Sequence, residues 1–523
     1  MQAFAQLLDN LLYTASRNAK LRLIGDYLRA VPDPDRGWAL AALTGGLDLR
    51  AVQPSLLKAL IAERVDPVLF ALSHDFVGDM AETISLLWPE PPGERPPAPG
   101  VDDVVQALSG LKRAEAPPVV AALLDRLDAQ GRYALIKLAT GALRIGVSAR
   151  LAKTALADTF RLDLEAVEEV WHGLSPPYAP LFAWAEGRGP APHAGDTPAF
   201  RPFMLAPPLE DEAIDLHAYA AEWKWDGIRV QISHAGGQTR LYSRTGDDVS
   251  GSFPDVAGAF ASHATLDGEL MVRGSAQMDS AGSFNALQQR LGRKAPAAKL
   301  MAQAPAFVRL YDALLIGGED LRALPWHARR TRLEALVPML DPARFDISAL
   351  VEAPDMAALG AIRAGARDAA IEGLMLKRRD SPYVAGRRTG LWWKWKRDPL
   401  SIDCVLMYAQ RGHGKRSGLF SDYTFGCWSD DGALLPVGKA YSGLTDAELA
   451  ELDKWIRGHA LARFGPVQEV EKALVLEVAF DAVQASARHK SGLALRFPRI
   501  ARIRTDKPAH EADRLETLRA LIR

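Results

Sequence analysis

The sequence predicts a three-part chain: an all-α region, a mixed α+β domain, and a small all-β barrel. Three observations carry this. Apolar residues recur at helical spacing as far as about residue 187, most clearly Leu7, Leu8, Leu11 and Leu12, and Val119, Val120, Leu123, Leu124 and Leu127. From about Tyr219 the period falls to two: Ile228, Val230 and Ile232 alternate, and Ala235-Gly236-Gly237-Gln238 turns the chain towards Leu241 and Ser243. After Arg397 short strand patterns dominate. The 523 residues suffice for three domains of roughly 150 residues each.

Composition sets the outer bounds. At 48% hydrophobic and 24% charged the chain is ordinarily globular. A net charge of -1 excludes a globally basic nucleic-acid coat, so any polyanion site must arise from local clustering. Two cysteines, Cys404 and Cys427, lack metal-ligand spacing; this argues against a disulfide framework or structural zinc and suits a reducing cytoplasm. The N-terminus reads as an amphipathic helix rather than a signal peptide, and no apolar run approaches the ~18 residues of a membrane span. No internal repeat is evident.

In the first part, residues 1–187, prolines at 32–34 and 89–99 separate helical blocks. The window 130–157 carries Arg132, Lys137, Arg144, Arg150 and Lys153 without an acid. Gly141 and Gly146 flank Arg144 and would let the backbone approach a phosphate. A solvated basic helix face reads equally well from these residues. Residues 188–208, rich in Gly, Pro and Ala, form a linker. The second part, 209–396, mixes strands with helical stretches at 281–291 and 327–339. The third, 397–523, shows strands at 403–409, 423–428, 434–440 and 474–480 and a helix at 446–464, a content that fits an OB-fold. Its 411–418 loop is basic, as is 487–507, which holds Arg488, Lys490, Arg496, Arg499, Arg502, Arg504 and Lys507 against Asp506.

The stretch 222–229, E-W-K-W-D-G-I-R, organises the chemistry. Lysine becomes a nucleophile when burial and neighbouring cations free its amine. Lys224 stands between two carboxylates and before an Asp226-Gly227 turn, with Arg229 offering a cationic fork. Ser243-Arg244 ends the following hairpin. Asp267 and Glu269 share one strand face and suit a divalent cation with oxygen ligands. Tyr311 lies in an apolar strand and suits base stacking or core packing. Glu372 and Lys377 fall on opposite faces by strand parity, and share a site only if Gly373 permits a bulge. Lys394 and Lys396 share a face, where two cations repel unless an anion sits between them. Each stretch alone has a bland structural reading.

Taken in order, K-x-D-G-x-R at Lys224, S-R at Ser243, D-G-E at Asp267, the Tyr311-Asp312 strand, E-G-L-M-x-K at Glu372, W-x-K-x-K at Lys394 and R-F-P-R at Arg496 resemble the collinear motifs of ATP-dependent DNA ligases. These belong to the covalent nucleotidyltransferase superfamily. The likeness covers 201–523 closely, and 1–187 more loosely through L-R-I-G-V around Arg144. It implies an all-α DNA-binding domain, an α+β nucleotidyltransferase (ATP-grasp-like adenylation) domain and an OB-fold. It implies that Lys224 takes AMP from ATP, Glu222 reads the adenine amino group and Tyr311 stacks on the base. Arg229 and Arg244 would hold phosphate and ribose, with Arg388 at a further nucleotide-contact position. Glu269 and Glu372 would bind ribose or Mg2+. Lys377, Lys394 and Lys396 would neutralise the α-phosphate, and Arg496 would orient the pyrophosphate. Arg144, Arg150, Lys153, Arg499 and Arg504 would contact DNA. The resemblance implies nick sealing in repair, replication or recombination by a cytoplasmic, nucleoid-associated monomer that encircles duplex DNA. An RNA ligase or a capping guanylyltransferase shares the lysine chemistry, and a protein that kept the fold without the activity would have lost a reactive residue.

Overall fold

The computed structural model describes all residues except 48, 50, 193–196, 211–212, 274–283, 292, 294, 367–370, 412–418, 442, 487–488 and 522–523, and only the backbone of 284–286. Chain contacts divide it into two compact units, Met1–Lys396 and Arg397–Arg523. Among the described residues no helix is long and apolar enough to cross a membrane.

Among the described residues the first unit begins with twelve helices, from Gln2–Tyr13 to Ala179–Ala185. Their ends follow from the sequence. Asp66, Asp79, Asp128, Ser148 and Asp163 each accept a first-turn amide, and Gly45, Gly78 and Gly141 close helices in the left-handed conformation. One apolar core runs through this bundle, from Phe4 and Leu8 to Leu181 and Phe182. Arg322, from the sheet region that follows, reaches Glu169 of the bundle at 2.8 Å.

Two sheets then face the chemistry. One has the order Trp392–Lys396, Ile371–Arg378, Tyr219–Trp225, Leu350–Val351. The other runs Gln238–Ser243, Ile228–Ala235, Ala264–Val272, Ala306–Ile316, Glu319–Asp320, with Phe345–Ile347 parallel to Ala306–Ile316. The chain leaves the first sheet at Trp225 and enters the second at Ile228, so Asp226-Gly227 is the crossing. Gly227 is needed for closeness: a Cβ there would lie 2.5 Å from the Leu270 carbonyl oxygen and 2.8 Å from Glu269 Cγ. The helix expected at 327–339 is Trp326–Leu336, tightened into a 3-10 turn at Val337–Met339 where Pro338 has no amide to continue it. Of the helix expected at 281–291, Phe284–Leu291 is present and 281–283 lie outside the described residues.

In the second unit seven of the described strands hydrogen-bond into one sheet, and Ala482–Ala485 pairs separately with Leu493–Arg496. Among the described residues these ladders do not close into a ring, where the sequence predicts a barrel. Among the described residues the unit also carries the helices Asp446–Gly458, where one is expected, and Leu515–Arg519. The first starts on a reciprocal Thr445–Glu448 capping box and stops at Gly458, six residues before the expected end at 464. Ala460–Phe464 instead forms an exposed strand, paired with Val467–Val470 across Gly465 at φ +58°. The basic loop at 411–418 lies outside the described residues beyond Arg411.

Candidate active site

Lys224, Gly373 and Lys396 form one cross-strand row, and Glu222, Met375 and Lys394 form the next. Paired residues in antiparallel strands share a face, so Glu222, Lys224, Lys394 and Lys396 all project to one side. Glu372 should point away from them. The ladder slips between Ile371 and Gly373, leaving Glu372 as an extra residue against the Trp225–Lys224 pair. Gly373 carries φ +147°, open to glycine and strained for other residues. The bulge brings Glu372 Oε2 within 2.5 Å of Lys224 Nζ and 3.1 Å of Lys396 Nζ. The carboxylate is thus the anion between the lysines. Burial alone would raise its pKa, but Lys224 and Lys396 together hold it below the usual carboxylate range.

The second sheet supplies the opposite edge. Arg229 donates to both oxygens of Asp267 at 3.1 and 2.7 Å, to the Met204 carbonyl at 2.8 Å and to the Tyr383 hydroxyl at 3.4 Å, and stacks on Phe203 at 4.4 Å. Four of its five N–H groups are so directed at protein. Asp267 is fully buried and also accepts from Tyr383 at 2.8 Å. The Asp267–Glu269 pair therefore does not act as two equivalent cation ligands, because Asp267 is committed to Arg229 and Tyr383. Among the described residues the Glu269 carboxylate has no hydrogen-bond partner, while its backbone pairs with Arg229 and Arg309. Burial pushes its carboxyl up to about 8; Glu372 and Asp267 add to this against Lys224 and Arg229.

Tyr311 is also a bulge residue, skipped between the Asp267–Asp312 and Gly268–Leu310 pairs. Its ring lies 4.5 Å from Lys377 Nζ and 5.9 Å from the Arg229 guanidinium, and burial holds its hydroxyl protonated well above the ordinary range. Lys377 is only 1% exposed and donates to Glu222 at 2.9 Å. It stands in the Ala220–Trp392 row, away from Lys224. Its ammonium is paired with the buried Glu222 carboxylate. Arg330 donates to the other Glu222 oxygen at 3.1 Å.

The remaining expected residues divide into exposed and internal ones. Arg244 and Arg388 are exposed beside the sheets. Burial lowers the Lys394 pKa first, with Arg387, Lys396, Lys224 and Arg244 adding to it, so several cations crowd this face. Arg144, at φ +47°, and Arg150 are exposed, and Arg150 lies 3.3 Å from Glu168. Lys153 is 3% exposed and packs over Trp171, so it offers DNA no contact. Arg132 and Lys137 are buried too, the first bonded to the Leu124 and Trp88 carbonyls, the second to Asp79 at 2.6 Å. The acid-free window is thus largely internal wiring rather than a solvated basic face.

The C-terminal basic segment behaves likewise. Arg499 pairs with Asp481, Arg502 with Glu477, and Arg504 with Asp403 and Asp506, while Lys507 also reaches Asp403. Arg504 therefore lacks a free fork for DNA. Arg496 ends a strand and lies 5.1 Å over the ring of Phe497, a 59% exposed residue held at φ +50°. Arg488 lies outside the described residues.

Three participants were not found from sequence: Arg330, Tyr383 and Phe203. A buried acid demands a cation, so Glu222 and Asp312 together called for the adjacent Arg330 and Arg329; Arg329 grips Asp312 at 2.8 and 2.9 Å. Nothing local marks Tyr383 or Phe203.

The family signature described as "ATP dependent DNA ligase domain" matches residues 204–396, and "ATP dependent DNA ligase C terminal region" matches 416–507. The chain is 32% identical to a probable DNA ligase of Koribacter versatilis, over 100% of this chain and 96% of that one. It is 30% identical to DNA ligase 1 of Korarchaeum cryptofilum, over 100% and 98%. Among solved structures, Pmar-Lig_PreS3 covers 96% of this chain and 99% of its own at TM-score 0.58 and 16% identity, a likeness of fold.

Proposed function

The chain belongs to the ATP-dependent DNA ligase family, and from that premise we propose that it seals nicks in duplex DNA through an AMP carried on Lys224. The observation that carries this is the Glu372 bulge, which gathers Lys224, Glu372 and Lys396 on one sheet face opposite Glu269. In the first step Lys224 Nζ attacks the α-phosphorus of ATP and pyrophosphate leaves. Lys394 and Lys396 offset charge on the α-phosphate. Arg244, with the N–H that Arg229 has left, holds phosphate and ribose, and Arg388 adds a peripheral contact. Tyr311 stacks on adenine, and Glu222, held from behind by Arg330 and Lys377, keeps lone pairs for the adenine amino group. AMP then passes to a 5′-phosphate at the nick. The adjacent 3′-hydroxyl displaces it and joins the strands. Each step is phosphoryl transfer, in which positioning and charge neutralisation do most of the catalysis.

Mg2+ fits the residues present. It takes one or two carboxylates beside water and substrate phosphate, and Glu269 and Glu372 can supply them. Among the described residues no cluster of three or more His, Cys, Asp or Glu offers an all-protein cage. Bound there, Mg2+ would neutralise charge on the transferring phosphate. Arg144, Arg150 and Arg499 remain as DNA contacts. The C-terminal unit we read as an OB-type barrel whose Arg496 orients pyrophosphate. We assign residues 1–187, 209–396 and 397–523 as DNA-binding, adenylation and barrel domains.

Incubation with α-labelled ATP, and separately GTP, followed by denaturing electrophoresis tests this. Label from ATP alone is expected, absent from Lys224→Ala and lost as nicked duplex is sealed. Label from GTP, or discharge only to nicked RNA, would select a different nucleotidyltransferase.

A further inference from the structure

Helix Pro67–Val77 buries none of its residues, although its sequence is largely apolar. Leu69, Leu72 and Phe76 fall three and four residues apart on one stripe and are 50%, 65% and 93% exposed. On the next helix, Met80–Leu87, Leu86 is 62% exposed. Between them runs a groove of about 360 Å³, lined by Leu72, Phe76, Val77, Leu86 and Leu87. Large side chains gathered so on a surface mark a binding face.

Charge says what it takes. Asp75 precedes Phe76, and Glu82 lies one helical turn before Leu86, so both acids flank the groove. Both are exposed, and neither meets a cation among the described residues. Asp79 is already held by Lys137, and Arg64 lies over the Trp88 ring. The flanking acids repel DNA and anionic lipid. A second copy docked by two-fold symmetry would set this acidic face against itself.

We propose that this groove binds a basic amphipathic α-helix of a partner protein. Apolar side chains of the partner at helical spacing fill the space between Phe76, Leu72 and Leu86, and its Lys or Arg residues meet Asp75 and Glu82. The helical region thereby recruits a protein on a face separate from the nucleotide site.

The test uses the full chain and two fluorescein-labelled 15-residue model helices, one of Leu and Lys and one of Leu and Glu, read by anisotropy. The Leu/Lys helix should bind at least tenfold more tightly than the Leu/Glu helix. The double variant Leu72→Ser/Phe76→Ser should lose at least tenfold in that affinity. Asp75→Lys/Glu82→Lys should reverse the preference. Nick sealing by both variants should stay within twofold of the parent. Binding of the Leu/Lys helix that neither variant alters would overturn the proposal. So would a concentration-dependent dimer abolished by Leu72→Ser/Phe76→Ser, since the occupant is then a second copy. A loss of sealing in that variant would place the face in the DNA complex and equally overturn it.

Discussion

Burial lifts the Glu269 carboxyl to about 8, yet a divalent cation needs it ionised. At neutral pH the group is mostly protonated until a cation displaces its proton. AMP loading at limiting Mg2+ should therefore rise with pH towards a midpoint near 8, and added Mg2+ should move that midpoint down. Rates measured from pH 6 to 9 at two Mg2+ concentrations check this; a midpoint indifferent to Mg2+ would remove Glu269 from the proposed Mg2+ ligands. Stability carries the opposite sign. A folded-state pKa above the unfolded value means that the folded chain holds the extra proton. The contribution is complete below the unfolded pKa and is lost as pH rises through about 8. Glu269→Gln, which cannot ionise, should thus gain thermal stability over the parent as pH rises from 5 to 9, by a few degrees for each kcal/mol recovered.

Two irregularities in otherwise regular strands build the site. Strand parity alone aims Glu372 away from Lys224, and its place as the extra residue of the bulge before Gly373 reverses that. Any side chain at φ +147° is strained, so Gly373→Ala should cost about 1–3 kcal/mol of stability or flatten the bulge. Flattening takes Glu372 from the lysines, and AMP loading should fall about tenfold, or ~1.4 kcal/mol of barrier. Loading at the parental rate in a folded Gly373→Ala protein would show that the bulge is dispensable. This also marks how far the sequence could be read. Alternating Ile228, Val230 and Ile232 and the ordered motifs located Lys224, Glu269, Tyr311 and Lys394, because strand period and residue chemistry are local. The Tyr311 bulge left no trace, since one skipped residue alters pairing and not composition. Ion partners were hidden for the same reason. Lys137 meets Asp79 across 58 residues, and Arg504 meets Asp403 across 101, so windows that look purely basic are neutralised from elsewhere in the fold. The helix expected to reach 464 ends at Gly458, and Ala460–Phe464 turns back as a strand across Gly465, a pairing that helical spacing in that stretch does not reveal.

Across the whole molecule the division of labour follows the two units. The nucleotide face lies wholly within Met1–Lys396, while Arg496 belongs to Arg397–Arg523. In the role proposed for it, orienting departing pyrophosphate, Arg496 is required only while pyrophosphate is present. On the same proposal, once AMP rides on a 5′-phosphate the remaining chemistry draws on groups of the first unit. Arg496→Ala should then lower AMP loading from ATP at least tenfold and leave sealing of a nick already bearing 5′-AMP within about threefold, a difference of at least ~0.7 kcal/mol between the two barriers. Single-turnover assays on the two substrates separate the steps. Equal losses in both would mean that Arg496 supports the fold or holds DNA. A chain ending at Lys396 extends the comparison: it should fail in loading from ATP more severely than Arg496→Ala does, because it loses every group of the second unit that could meet the leaving group. Normal loading by that shorter chain would confine the first step to the Lys224 face, and would make the second unit an instrument of DNA binding only.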